Sequence, residues 1–416
     1  MMYYLFAKII WYITEMNMDI LCKQTCRLER EAYRMRNTQE TPANSLVSQI
    51  HSLTETLKRE ESINQTIAEA DPLGADEAFL RLPRLNEHED IGGIRKVLEQ
   101  AVARAQSLLG SNFIHCSAAI RDISMFGGSL VRFGIEPADC VLDFSEALMV
   151  LSANVAAQIP RDSFIDYTSR NPTDRRGRTF TALPEERIFI DSLRRGMSAL
   201  NSCLEKVMTA CTYPLSSKEF AAHFHLATES FQIMIDSIVK VKRGITPEVF
   251  THHIRPYFEP FRVGDRAYSA PSGAEMPILN IDQIIWGADC EDELYKTYFQ
   301  ANIIRLPTIY QEISRTFAGQ KSLIAILRDC LASGIPFSYE ERMSIHEIHH
   351  LLTRMYSFRV PHYRVAEDNV ILRQHEFGEG QEVKGSSGFG LVETKYVLDQ
   401  TIKSRQITSQ ALDFSK

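Results

Sequence analysis

A histidine near the carboxyl end of the chain has the surroundings of a metal ligand. His362 follows Pro361 and, at helical spacing, shares a stripe with Val365, Ala366 and Asn369. A neutral imidazole in a largely apolar place can ligate iron or zinc through one ring nitrogen. The commoner alternative is a core histidine bonded to a backbone carbonyl. These residues alone do not separate the two interpretations.

A second candidate lies just before it, where His346, Glu347 and His350 satisfy the pattern H-E-x-x-H. On a helix the two histidines share a face and can hold zinc, with Glu347 as general base of a hydrolase. The apolar rhythm of the segment places His350 on the solvated side, which speaks against this hypothesis. The stripe that we expect to be buried is Ile345, Ile348, Leu352 and Met355.

Glycines gather at two other places. Gly385-Ser-Ser-Gly388-Phe-Gly390 resembles a phosphate-cradling loop, but a helix alone follows it and no strand precedes it, so we do not expect nucleotide binding. The loop is either a mobile cover for a site or a flexible connector.

Gly127 and Gly128 interrupt an apolar helical pattern that also carries Arg121 and Asp122. They indicate either the close approach of a flat ligand or another backbone, or simple helix packing.

Composition bounds the function. The chain has 416 residues, 44% apolar residues and a net charge of −7, which argues against a nucleic-acid surface. Eight scattered cysteines predict a reducing cytoplasm without a disulfide framework. The apolar stretch 1–13 is shorter than the roughly twenty residues that span a bilayer and lacks the features of a secretory signal. We therefore expect no membrane span.

Helical periodicity dominates, and no βαβ alternation appears, so we expect an all-α fold. One small hairpin is predicted within 258–275. The polar segment from Asp166 to Thr179 is the best domain boundary, and its four arginines either meet an anionic cofactor edge or form a solvated loop. We predict an N-terminal extension over 1–65 with loosely attached helices, a small helical domain over 66–170 and a large helical domain over 171–416. The helices that we predict are 71 onward, 91–109, 113–133, 136–157, 184–210, 217–242, 245–257, 276–286 and 291–315.

Many short motifs occur together in one order. They are Asp71-Pro-Leu73, Leu80-Arg-Leu-Pro-Arg-Leu-Asn86, Arg121-Asp-Ile123, Gly128-Ser-Leu130, Asn171-Pro-Thr173, Ile254-Arg-Pro-Tyr-Phe-Glu-Pro260, Ala274-Glu-Met-Pro277, Trp286-Gly287, Phe317-Ala-Gly-Gln320 and Phe358-Arg-Val-Pro-His362. With these motifs the chain resembles, over roughly residues 70 to 400, the monodechloroaminopyrrolnitrin synthase (PrnB) family, haem proteins of the indoleamine 2,3-dioxygenase superfamily.

The resemblance implies a two-domain helical fold with haem b between or under the helices of the large domain. His362 matches the axial ligand of the haem iron. Arg255 and Phe250 match the helix that binds the amino-acid carboxylate and packs against the indole. Ser386 falls in the loop that closes near the substrate ammonium group, and Ser124 falls where a small hydroxyl lies in the distal pocket.

The resemblance also implies a function: haem-dependent oxidation of L-tryptophan or a ring-substituted, for example chlorinated, derivative in secondary metabolism. Dioxygen is then a co-substrate, and an electron donor is a partner. One departure concerns Val370, where the family has a tyrosine near the substrate; its loss leaves the orientation of the substrate, and so the product, open. The alternatives are a haem protein that binds an indole or a gas without turnover, and the zinc hydrolase described above.

Overall fold

The architecture is helical, as predicted. The structure is a computed structural model that describes residues 44–108, 110–155, 159–377 and 390–414. Within those ranges the strands are β1 (Phe261–Val263) and β2 (Arg266–Tyr268), which pair antiparallel with Phe261 opposite Tyr268. The expected hairpin is therefore present. None of the described helices is both long and apolar enough to cross a membrane.

Side chains cap two helices of the first half, those that begin at Ile91 and Phe113. Asp90 accepts a hydrogen bond of 2.9 Å from the Gly93 amide, and Asn112 accepts one of 3.0 Å from the His115 amide. The expected helix from 136 to 157 is two helices, because Asp143 takes a left-handed φ of 62°. The helices are α1 (Asn44–Glu69), α2 (Asp76–Glu87), α3 (Ile91–Ala105), α4 (Phe113–Val131), α5 (Pro137–Cys140), α6 (Phe144–Asn154) and α7 (Phe164–Tyr167).

Longer helices form most of the second half. Helices α8, α9, α15 and α16 pack side by side, and Pro307 separates two helices where the pattern predicted one. The helices are α8 (Pro184–Ala210), α9 (Lys218–Gly244), α10 (Pro247–Val249), α11 (Ile278–Asp282), α12 (Glu293–Ile303), α13 (Thr308–Phe317), α14 (Leu323–Ala332), α15 (Tyr339–Phe377) and α16 (Leu391–Asp413). Two π-helical turns, Phe250–Ile254 and Gln283–Gly287, extend α10 and α11.

The described residues bury two hydrophobic cores. One core is centred on α2, α3, α4, α6 and the hairpin, and it contains Phe79 and Phe126. The other lies among α8, α9 and α11–α15 and contains Phe224 and Phe231. Helix α1 contributes Ile50 to this second core, so this part of the N-terminal segment is packed where loosely attached helices were expected. The domain limits at 65 and 170 remain a prediction.

Of the two alternatives for the segment from Asp166 to Thr179, the solvated loop is wrong for its first and last arginines. Arg170 and Arg178 are both buried. Arg178 lies 3.3 Å from Asp122 and 2.5 Å from Asp76, while Arg170 lies 3.0 Å from Asp166. These arginines serve as internal counter-charges between elements that are far apart in the chain, a role that the lack of periodicity did not reveal.

Candidate functional site

His362 lies in the second half of α15, on the turn that contains Pro361. Its imidazole is half-buried and stacks on Phe358, with ring centroids 5.5 Å apart and planes 13° apart. Burial lowers the pKa of His362, and the neighbouring Arg359 guanidinium lowers it further. Neither ring nitrogen makes a hydrogen bond to a described residue. The side chain is therefore a neutral imidazole with its nitrogens available, the form that ligates a metal.

A buried ion pair lies one helical turn before this histidine. Arg359 on α15 donates to the carboxylate of Asp282 on α11 and to the hydroxyl of Thr401 on α16. The indole nitrogen of Trp286 donates to the other oxygen of Asp282 at 2.9 Å. Three helices are thus joined at the level of His362. The sequence analysis did not predict this ion pair. The one local indication was that Arg359 lies three residues before His362, on the same face of the helix.

Phe250 and Arg255 lie in the π-helical turn and the 3-10 turn that follow α10. Phe250 packs against Phe189 with ring centroids 5.4 Å apart. The Arg255 guanidinium is 12% exposed, donates to the Phe258 carbonyl at 2.7 Å and lies 3.7 Å from the Glu259 carboxylate. Single π-helical turns are frequent at functional sites. The π-helical turn at Phe250 is thus a structural indication of a site, and hydrophobic periodicity in the sequence does not reveal it.

Ser124 lies inside α4 and is fully buried. Its hydroxyl accepts a hydrogen bond of 3.2 Å from the backbone amide of Asp162. One turn further along the helix, a Cβ on Gly128 would lie 2.9 Å from the Tyr257 carbonyl, so only glycine lets the two backbones approach. The glycine therefore marks the approach of a second backbone, and it holds the segment of Arg255 against the helix of Ser124.

These contacts connect, in two pairs, the elements that carry four predicted site residues. Helix α4 carries Ser124 and touches the turn at Arg255, while α10, directly before Phe250, packs on α15, which carries His362. Ser386 lies outside the described residues, as does the side chain of Val370. The roles of all five site residues remain predictions.

A buried polar group beside Ser124 was not foreseen. A pocket runs along the face of α4 formed by Ser117 and Ile120, and Arg161, Asp162 and Arg305 line its other side. Burial raises the pKa of Asp162 to about 6, against the attraction of Arg161. The same cause raises the pKa of Glu275, which pairs with Arg305, to about 7. Carboxyl groups tuned to this range can hold a proton near neutral pH.

The H-E-x-x-H segment lies on the outer side of α15, as its pattern predicted. His346 and His350 are 47% and 49% exposed. Ile345, Ile348, Leu352 and Met355 are fully buried on the opposite side. A hydrolytic zinc ion acts in a shaped cavity that excludes water, so this exposed position does not favour the hydrolase hypothesis.

The fold and these contacts define an all-α protein whose candidate site lies in its interior, between α4, the α10 turn and α15. The model of the family described as monodechloroaminopyrrolnitrin synthase PrnB matches residues 64–349, more than half of the chain. The chain therefore belongs to the PrnB family, a family named for an enzyme, and the resemblance seen in the sequence is confirmed. The matched range includes Ser124, Phe250 and Arg255 and ends before His362.

Proposed function

We propose that this protein is a haem-dependent oxidative enzyme that acts on L-tryptophan or a ring-substituted derivative, with His362 as the axial ligand of haem b. The observation that carries the proposal is the position of His362, a half-buried imidazole with no hydrogen bond to a described residue; burial lowers its pKa and so favours the neutral form. A haem iron needs such a ligand on one side and open space on the other. The imidazole of His362 fits the ligand side of that requirement.

The ion pair beside His362 supports the same assignment. Arg359, Asp282 and Thr401 join the three helices that lie around the imidazole, which fixes the backbone that carries it. The phenyl ring of Phe358, stacked on the imidazole, restricts its rotation further. A ligand held by packing and by neighbouring hydrogen bonds binds a metal centre more tightly than a freely rotating one.

Arg255 and Phe250 are proposed to bind the amino acid. A guanidinium binds both oxygens of a carboxylate, and Arg255 already faces the carboxylate of Glu259 at 3.7 Å. A substrate carboxylate can take up that interaction from the same fork. Phe250, five residues earlier, offers an aromatic face to an indole. Together the two side chains fix both ends of a tryptophan, which is the positioning that an oxidation at one ring edge requires.

When bound, haem supplies the oxidative chemistry with dioxygen, using electrons from a separate donor. The chain's own residues orient the substrate, exclude water and hold protons. Ser124 offers a small hydroxyl on the face of α4, and its bond to the Asp162 amide fixes the position of its oxygen. The carboxyl of Asp162, which pairs with Arg161, has a pKa raised to about 6 and can hold a proton below that pH. We propose the cytoplasm as its location, because all the described cysteines are free thiols.

The test is the absorption spectrum of the purified protein, ferric and ferrous, with and without L-tryptophan. His362→Ala is the variant and His346→Ala the matched control, since His346 lies on the same helix but on its exposed side. We expect a Soret band that shifts with tryptophan and is lost or altered only in His362→Ala. Haem-reconstituted protein without a Soret band refutes the haem assignment.

Substrate and turnover need a second measurement. Incubation with tryptophan, dioxygen and a reductant, followed by mass spectrometry, should give an oxidised product. Arg255→Gln should weaken the tryptophan-induced shift and leave the haem spectrum without substrate unchanged. A Soret shift without any product supports a haem protein that binds indoles without turnover, the alternative in the sequence analysis.

A further inference from the structure

Three potential metal ligands meet on the outer side of α15. The ligand atoms of His346, Glu347 and His350 all lie within 4.8 Å of one another. The imidazole rings of the two histidines are 4.1 Å apart between centroids. The carboxylate of Glu347 lies 3.5 Å from His346 Nδ1 and 3.8 Å from His350 Nδ1. Two histidines four residues apart on one helical face form a ready chelate.

A further imidazole, on the neighbouring helix, contacts Glu347 but lies outside the group whose ligand atoms are all within 4.8 Å of one another. His225 on α9 places its Nδ1 atom 3.2 Å from Glu347 Oε2, the same oxygen that His350 approaches. Glu347 is only 12% exposed, so its charge is held at the junction of the two helices. The other imidazole nitrogen of His225 lies 3.7 Å from Glu229 on its own helix. The cluster thus joins two helices that are far apart in sequence.

The distances from the Glu347 carboxylate to the imidazoles are close to those around a tetrahedral ion. Zinc–ligand bonds of about 2.05 Å place neighbouring ligand atoms of a tetrahedron about 3.3 Å apart. The carboxylate–imidazole distances of 3.2, 3.5 and 3.8 Å lie close to that value. Three imidazoles and one carboxylate are ligands that zinc and its neighbours in the transition series accept.

We propose that His346, Glu347 and His350 bind one divalent transition-metal ion of the Zn²⁺ type, and that the exposed side chain of His225 turns toward the ion as a fourth ligand, which ties α9 to α15. Glu347 acts here as a ligand, and with four protein ligands the ion has no open position for hydrolysis. The site is independent of the proposed oxidative function. It lies twelve residues before His362 on the same helix, about 18 Å along the helix axis.

The experiment is a calorimetric titration of the full-length, EDTA-dialysed protein with ZnCl₂, with MgCl₂ as the comparison because Mg²⁺ prefers oxygen ligands. We expect one Zn²⁺ ion per chain and no heat with Mg²⁺. His346→Ala and His350→Ala should each weaken binding about tenfold or more, as should His225→Ala. The control is His88→Ala, an exposed histidine outside the cluster. The thermal unfolding midpoint of the unchanged protein should rise with Zn²⁺ only.

Three results contradict the proposal in whole or in part. If Zn²⁺ gives neither heat nor a thermal shift, the cluster is a hydrogen-bonded group and no more. If Zn²⁺ binds equally well to His346→Ala and His350→Ala, the ion lies elsewhere. Equal binding by His225→Ala refutes the link between the two helices. The thermal shift of the unchanged protein needs no variant, so a variant that fails to fold leaves the proposal testable.

Discussion

Replacing Asp282 by asparagine isolates a positive charge in the interior. The pair of Arg359 and Asp282 is buried, with side chains 7% and 3% exposed. Asparagine keeps the volume and still accepts a bond from the Trp286 indole, but it removes the counter-charge of Arg359. Removing one partner of a buried pair costs about 3–5 kcal/mol, because the remaining charge stays unsolvated. A guanidinium cannot escape that cost, since it does not lose its proton in the pH range of proteins.

The reverse change, Arg359→Met, should cost less at low pH. Burial raises the pKa of the Asp282 carboxyl, and without Arg359 nothing opposes that rise except the Trp286 bond. The carboxyl then takes up a proton, which limits the cost to about 1.4 kcal/mol for each pH unit above its ordinary pKa of about 3.9. The limit is about 1.5 kcal/mol at pH 5 and about 4 kcal/mol at pH 7. Stability contributed by the protonated carboxyl is present at low pH and is lost as the pH rises.

Urea unfolding of the unchanged protein, both single variants and the double variant at pH 5 and pH 7 tests this reasoning. We expect Asp282→Asn to be equally destabilised at both values and Arg359→Met to be more stable at pH 5 than at pH 7. The double variant should be more stable than Asp282→Asn, because it contains no isolated charge. Equal costs of the two single changes at pH 5, or additive costs in the double variant, refute the reasoning. If the haem proposal holds, Asp282→Asn should also retain less haem.

Two further predictions concern packing and pH. Gly128→Ala should lower the free energy of unfolding by about 1–3 kcal/mol, because its Cβ would lie 2.9 Å from the Tyr257 carbonyl; urea unfolding measures this. Gly127→Ala, whose Cβ would meet side-chain atoms at 3.3 Å or more, is the milder control, and equal costs contradict the argument. Burial lowers the pKa of His223, whose Nδ1 is buried and has no hydrogen-bond partner among the described residues. The unfolded chain therefore takes up a proton first as the pH falls below about 6.5. Stability should therefore fall on acidification through that range, and less so in His223→Gln; identical pH profiles in urea titrations contradict this.

Much of the fold was determined by the sequence alone, because it depends on local patterns. The 3.6-residue rhythm predicted α3, α4, α8 and α9 with limits close to those observed, and the turn residues near Gly264 predicted the hairpin. The same rhythm placed His350 on the outer side of α15. The ordered motifs identified the family, which the match over residues 64–349 confirms.

Only the tertiary structure decided which polar residues are inside. Arg359 meets Asp282 across 77 positions, and Arg178 meets Asp122 across 56. A pairing at such separation leaves no hydrophobic periodicity in either segment. A solvated loop was therefore one of the two interpretations of the segment that contains Arg178. The role of Gly128 was open for the same reason, since the Tyr257 carbonyl that requires it lies in another element. Helical periodicity is a property of neighbours along the chain, whereas the partner of a buried charge is chosen by how distant helices pack.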